Sequence, residues 1–355
     1  MRSVRKNRFL ERDRLGRQEN EKLRQKSRSR VMFAVPSPQD IGLIEAEKVA
    51  QIAAALDAQL ELFHCVFDAD VTRSDQLPAT QAQEDIHQCV LSGRRALERI
   101  AEHLRVGGAP AKTSVRWDYP IFEGIVRQVL RHRPRLVIVE SSRRGRLDRL
   151  LTHTDWKLIE TCPCPLLLLK THRPYAKPLI VAAVDPGHAH DKAAGLDGRI
   201  LDSARLMSDA LAGRLVVYHA RTPWDEAIHI DPELRDLPEY RDEEIHRAYL
   251  EQVKTRVLEL AQRHDIAPQQ VHVEDGHAAE ALPRYSSQQD AHIVAMGVVS
   301  RSRLRQALIG HTAEHVLDAL TCDVLILKPP GFRTPVRRES THHVPSSDLP
   351  TRLMG

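Results

Sequence analysis

Two stretches in the second half of the chain carry the residues best placed for chemistry. Asp185 directly follows the apolar run IVAAV. Gly297-Val298-Val299-Ser300 follows another apolar run ending in Met296, and nine residues later comes Gly310-His311-Thr312. Glycine has no Cβ, so its backbone N–H can approach a phosphate closely. A glycine and a hydroxyl residue opening a helix add unpaired N–H groups and the positive end of the helix dipole. Two such elements nine residues apart could wrap one polyphosphate, and Asp185 could accept a hydrogen bond from a base or a ribose. Arg301, Arg303 and Arg305 would add positive charge, or would simply be solvated on a loop. Glycines at strand ends and helix starts also arise for packing reasons, so the spacing leaves both readings open.

The elements that must position these residues occur twice. The run from Leu136 to Lys170 and the run from His292 to Lys328 share one order. Each has an apolar strand, a basic loop, a His-Thr pair, an amphipathic helix, a Cys and an apolar strand ending in Lys. Further back, each copy alternates short apolar strands with helical patterns. In the first copy, strands fall at 31–35, 59–66, 113–118, 136–140 and 165–170, with helices at 40–57, 121–130 and 151–160 and a loop followed by a long helix over 70–105. In the second, a strand and turn fall at 178–187 and strands at 214–220, 270–276, 292–297 and 323–328, with helices at 197–212, 240–264, 277–288 and from near Thr312. Continuous apolar strands between helices imply a parallel sheet covered on both faces. The expected fold is therefore α/β, two tandem doubly wound domains, each a five-stranded parallel sheet flanked by helices. Such sheets bind ligands at the carboxyl ends of strands where the strand order reverses. The expected boundaries are a basic extension over 1–30, a first domain over 31–170, a linker over 171–177, a second domain over 178–328 and a disordered tail over 329–355.

The copies differ where the chemistry would sit. Pro36 stands in the place of Asp185, Glu140 in that of Gly297 and Thr152 in that of Gly310. A carboxylate at 140 would repel a phosphate. Arg143, Arg144 and Arg146 keep the first loop basic, yet this copy is expected to lack a phosphate site.

Composition bounds the rest. The chain has 355 residues, 42% hydrophobic and 28% charged, with formal net charge +4. Residues 1–30 hold twelve Lys and Arg against four acids. That arm is read as a solvated extension, and nucleic acid is not the expected partner. No apolar run reaches the ~20 residues of a membrane span, and no signal peptide opens the chain, so a cytoplasmic place is expected. Five cysteines, with Cys162 and Cys164 one residue apart, suggest neither a disulfide framework nor a zinc motif. No metal site is expected, and no Ser/His/Asp set or phosphate-loop lysine marks a catalytic centre.

At the segment AMGVVSRSRLRQALIGHTAEHVLDALTCDVLILK (295–328) the chain resembles the universal stress protein family. Two tandem copies, THTDW at 152–156, CPCP and KPPGFRTPV at 328–336 make it similar to the tandem-domain UspE type. The resemblance implies ATP held between a first-strand Asp and a glycine loop of pattern G-x2-G-x9-G-[S/T]. Carried over, Asp185 would face the adenosine part, and Met296 and Gly297 would end the fourth strand. Ser300 replaces the second glycine, Gly310 matches the third, and His311 replaces the hydroxyl residue, with Thr312 beside it. The resemblance also implies a stress-response sensor or binding module, associated with resistance to DNA-damaging agents, rather than a dedicated enzyme, with weak ATPase activity at most. The alternatives are an ATP-hydrolysing switch and a partner-binding protein without nucleotide. LLLLK (166–170) and VLILK (324–328) are apolar edges that would invite aggregation if exposed. They are expected to pair within one chain, and association of two chains into a homodimer is left open.

Overall fold

The apolar runs become the strands of a single sheet. The structure is a computed structural model that describes residues 29–39, 41–73, 79–141, 151–187, 195–223, 243–298 and 310–340. In the first half, β1 (Arg30–Ala34), α1 (Leu43–Ala55), β2 (Gln59–Val66), α2 (Ala69–Arg73), α3 (Ala79–Val106) and β3 (Ala111–Trp117) come first. They are followed by α4 (Ile121–His132), β4 (Leu136–Glu140), α5 (His153–Thr161) and β5 (Leu166–Leu169). The second half opens with β6 (Leu179–Ala183), α6 (Leu196–Ala210), β7 (Arg214–Arg221), α7 (Glu243–Arg263) and β8 (Val271–Asp275). It closes with α8 (Ala278–Gln288), β9 (Ile293–Gly297), α9 (His311–Ala319) and β10 (Asp323–Leu327).

The strand order is β3-β2-β1-β4-β5-β10-β9-β6-β7-β8. Each half is parallel throughout, and the halves meet where β5 and β10 run antiparallel, with Val324 opposite Leu168 and Ile326 opposite Leu166. The two apolar edges foreseen from sequence thus cover each other. The two halves form one ten-stranded sheet, and the layers run unbroken across the seam. Successive strand residues point to opposite faces. Val31, Phe33, Leu167 and Leu325 enter one core, whereas Met32, Ala34, Leu168 and Val324 enter the other.

The seam carries a buried polar network. Lys48 Nζ of α1 lies 2.5 Å from Asp323 Oδ2 of β10, and neither side chain reaches solvent. Asp323 also accepts from Tyr175 Oη at 2.6 Å, Lys170 N at 2.8 Å and Thr171 N at 2.9 Å. Lys48 donates further to Thr171 O at 2.9 Å. Burial lowers the Lys48 ammonium below its ordinary value, and Asp323 opposes that shift. The stretch 171–177, expected as a plain linker, therefore places Thr171 and Tyr175 inside the junction.

Two expectations at the ends need correction. Ser29 and Arg30 belong to the fold rather than to the extension: Arg30 opens β1 and pairs with Glu61 at 3.2 Å. Residues 329–340, expected to be disordered, pack back across the molecule. Val336 is buried, Arg127 Nε of α4 donates to Arg337 O at 3.2 Å, and Ser340 Oγ donates to Asp118 Oδ1 at 2.5 Å. A lack of periodicity excludes a helix or strand, but it does not exclude contact. The expectations for 1–28 and 341–355 lie outside the described residues. Among the described residues, no helix is long and apolar enough to cross a membrane.

Candidate functional site

The strand order reverses between β1 and β4 in the first half and between β6 and β9 in the second. Asp185 and Gly297 stand at the carboxyl ends of β6 and β9, which are adjacent and parallel, with Ala182 opposite Ala295. Asp185 is half-buried, and its backbone N–H donates to Asp197 Oδ1 in the first turn of α6 at 3.2 Å. Gly297 has a packing role of its own. A Cβ there would sit 2.7 Å from Leu196 Cδ2 and 3.2 Å from Ile200 Cδ1, so glycine lets α6 lie close on β9. The side chain of Met296 is 6% exposed and packs in the core with Val316 and Leu317. Only the backbone of Met296 faces the crevice end, because strand alternation sends its side chain inward.

Gly310 is different. It caps α9 with an extended backbone (φ −63°, ψ 140°), which any residue could adopt. Among the described residues nothing lies within 4 Å of the place a Cβ would take. The chain's own described packing thus gives no reason for glycine at 310. The leading N–H groups of a helix have no carbonyl partner within it, and here, among the described residues, no side chain caps them. His311 and Thr312, the next two residues, are exposed. The His311 ring packs on that of His315 with centroids 4.1 Å apart, and His315 Nδ1 lies 2.9 Å from His311 O. Ser300, Arg301, Arg303 and Arg305 lie outside the described residues, as do Arg143, Arg144 and Arg146.

The first half answers the same positions with its own atoms. Thr152 caps α5, its Oγ1 accepting from Asp155 N at 3.2 Å. Asp155 Oδ2 accepts in return from Thr152 N at 2.8 Å and from Thr152 Oγ1 at 2.9 Å. This reciprocal capping box satisfies two backbone N–H groups at the helix start internally. The Asp155 carboxyl is buried, and desolvation pushes it above the ordinary carboxylate range, against the bonds from Thr152. A carboxylate group of the chain thus occupies the end of α5 that is left open on α9, where Ala313 stands in place of Asp155. The T-x-x-D pattern at 152–155 could have revealed this from sequence; attention to the glycines alone passed over it. Pro36 is exposed and offers no carboxylate, and Glu140 ends β4 where Gly297 ends β9.

This architecture is that of known proteins. The family model of the universal stress protein family matches residues 28–170 and again 180–328. Universal stress protein E of Escherichia coli strain K12 is 30% identical over 262 residues, covering 71% of this chain and 79% of that protein. Universal stress protein E of Photorhabdus laumondii is 26% identical over 254 residues, covering 70% of this chain and 79% of that one. A crystal structure of a putative universal stress protein from Pseudomonas aeruginosa UCBPP-PA14 superposes with TM-score 0.61 at 26% identity, covering 86% of this chain and 95% of that one. With both halves matched by one family and one sheet running through them, the chain belongs to the universal stress protein family, as a tandem protein of the E type.

Proposed function

We propose that this protein is a stress-response binding module whose second half holds an adenine nucleotide, with ATP the preferred ligand, and whose first half does not. The observation that carries the reading is the open N-terminus of α9 at Gly310, set against the self-capped N-terminus of α5 at Thr152. An uncapped helix start beside a switch point suits a phosphate. Asp185, at the neighbouring strand end, would take the adenosine side, and Ser300, His311 and Thr312 would line the phosphate side. The protein acts by binding rather than by turnover; any ATPase activity is weak and resides in the same half. Resistance to DNA-damaging agents is the physiological outcome we attach to it, in the cytoplasm.

Calorimetry on the full chain with ATP, ADP and AMP tests the reading. Binding in the micromolar range is expected, weaker as phosphates are removed, and lost in Gly310→Arg and in Asp185→Ala. An absence of heat at millimolar ATP would overturn it and leave a partner-binding protein. Survival of a deletion strain after DNA damage, with and without the Gly310→Arg gene, tests the physiological part.

A further inference from the structure

Two lysines in equivalent places meet different partners, and the difference points to sulfur. Lys170 follows β5 and reaches across the seam to the end of α9, where its Nζ donates to Leu317 O and Leu320 O. Lys328 follows β10 in the same way, and the residue that matches Leu320 is Cys162, just past α5. Lys328 is 3% exposed, and its Nζ has no hydrogen-bond partner among the described residues. Its charge nevertheless acts on the Cys162 sulfur, and that sulfur acts on it, ahead of Glu160. An ammonium taken out of water without a hydrogen bond is costly unless an anion stands near it.

Cys162 has a second neighbour that favours an anion. It is 1% exposed, Cys164 is half-buried, and their Sγ atoms are hydrogen-bonded at 3.7 Å. Both are free thiols. The hydrogen bond from the Cys164 thiol lowers Cys162 below the ordinary thiol range; the Cys164 backbone N–H and the Lys328 charge pull the same way, against burial. The other four cysteines move up: Cys164 because it holds the shared proton, and Cys65, Cys89 and Cys322 through burial. The C-terminal end of a helix disfavours an anion, so the α5 dipole is not the source. A thiolate steadied by a cation, with a second thiol in reach, is the arrangement of an oxidant-sensitive pair. The second half lacks it, since Cys322 matches Cys164 but Leu320 stands in the place of Cys162.

We propose that Cys162 and Cys164 are a redox pair that hydrogen peroxide converts to a disulfide, with Lys328 holding the Cys162 thiolate ready. The thiolate attacks one peroxide oxygen and the O–O bond breaks. Cys162 becomes a sulfenic acid, and the departing hydroxide takes up the proton that the thiol had released. The Cys164 thiol then loses its proton, and its sulfur attacks the Cys162 sulfur. The S–O bond breaks, and hydroxide leaves with that proton as water. Two electrons pass from the two sulfurs to the peroxide, giving one disulfide and two waters. Cys162 lies beneath half-buried Cys164, so an oxidant little larger than water reaches it and a bulky disulfide such as oxidised glutathione does not. Neither step depends on nucleotide binding by the second half.

The test is to treat the reduced full chain with hydrogen peroxide at neutral pH, without denaturant, and to map its disulfides by peptide mass spectrometry. One bridge, Cys162 to Cys164, is expected, reversed by dithiothreitol, with Cys65, Cys89 and Cys322 still thiols. Cys164→Ser should stop at a sulfenic acid on Cys162 that dimedone traps. Cys162→Ser should react at least about ten-fold more slowly than the wild type. Lys328→Met tests the positioning role: its profile of oxidation rate against pH should move to higher pH. The titratable groups that act on Cys162 are Cys164 and Lys328, with Glu160 acting on Lys328 in turn. Should Cys162→Ser fold poorly by circular dichroism, the wild-type map and the Lys328→Met profile decide. A pair that stays reduced in the folded chain, equal rates in Cys162→Ser and wild type, or an unmoved profile in Lys328→Met would overturn the proposal and leave two buried thiols that pack the entry to β5.

Discussion

The helix starts α5 and α9 occupy equivalent places in two copies of one fold, and both read His-Thr at their first two positions. One is closed by Thr152 and Asp155; the other is left open by Gly310 and Ala313. The backbone is shared, so the difference lies in two side chains. In the first half the Asp155 carboxylate and the Thr152 hydroxyl each accept one backbone N–H at the helix start. On the reading proposed above, a phosphate would take that place in the second half, so a duplicated fold can change what its helix start binds without changing the helix. The strand end tells a parallel story, with Glu140 in one copy and Gly297 in the other.

The halves are also unequal at the seam, where the largest effect is expected. Asp323 comes from the second half alone; its counterpart in the first is Pro165. It balances Lys48 in a place without solvent. Breaking a buried pair by removing one partner costs about 3–5 kcal/mol, because a charge is left behind. Asp323→Ala should therefore lower the urea midpoint sharply, while Lys48→Met/Asp323→Leu should recover much of the loss. Equal midpoints for wild type and Asp323→Ala would show that the seam rests on β5–β10 pairing and apolar packing alone.

Next in size is a contrast between two lysines that close equivalent strands. Lys170 Nζ donates to Leu317 O and Leu320 O at the end of α9, the latter at 2.7 Å. Lys328 Nζ is buried with no hydrogen-bond partner among the described residues and stands 4.9 Å above the Phe332 ring. Burial pulls its pKa down to about 8, against the pull of Cys162 and Glu160. Lys170→Met should cost about 2 kcal/mol, in line with lost charged hydrogen bonds. Lys328→Met should be neutral or stabilising. The sign of the pH effect follows from the proton count. Between about 8 and 10.5 the unfolded chain holds a proton on Lys328 that the folded chain has released, so stability rises with pH across that window. The wild type should gain on the order of 2–3 kcal/mol over it relative to Lys328→Met. Parallel pH profiles for the two proteins would remove the contrast.

Opening the closed end is the third test. Thr152→Gly/Asp155→Ala gives α5 the same cap residues as α9. A lost capping box costs about 1–2 kcal/mol, read by thermal or urea unfolding. The variant should still bind no ATP, because Glu140 and Pro36 remain. Nucleotide binding by the opened first half would show that the cap alone, and not the strand ends, separates the copies.

How much of this could be read from sequence depends on how local each feature is. The strands and the parallel sheet of each half were legible because apolar runs of four or five residues bounded by turns can bury both faces only in a covered sheet, and the β5–β10 pairing because two apolar edges need cover; the order of the strands came from the structure. That Asp185 follows β6 and that Gly310 caps α9 were legible because each position depends only on the element beside it in the chain. Gly297 was only half legible: its place was clear, but its use as a seat for Leu196 depends on α6, about a hundred residues away in the chain. Met296 looked like a site residue, although strand alternation turns its side chain into the core. The strap at 329–340 was missed because irregular segments leave no period to read.

The smallest effect is the most discriminating. Gly310→Thr/Ala313→Asp transplants the cap of the first half into the second. The Gly310 backbone is already extended and its Cβ direction is open among the described residues, so threonine should enter without strain. A cap hydroxyl and an acid in the first turn should each add a few tenths of a kcal/mol, about 0.5–1 together. The apo protein should therefore melt slightly higher, while ATP should no longer raise the melting temperature or give heat in calorimetry. A destabilised variant would show only that the ends of the two helices are not interchangeable. A variant that is more stable and has lost ATP would establish that one helix terminus cannot serve both its own carboxylate and a phosphate. A variant that is more stable yet binds ATP as before would mean that the phosphates sit elsewhere, and the comparison between α5 and α9 would no longer explain how the two halves divide their work.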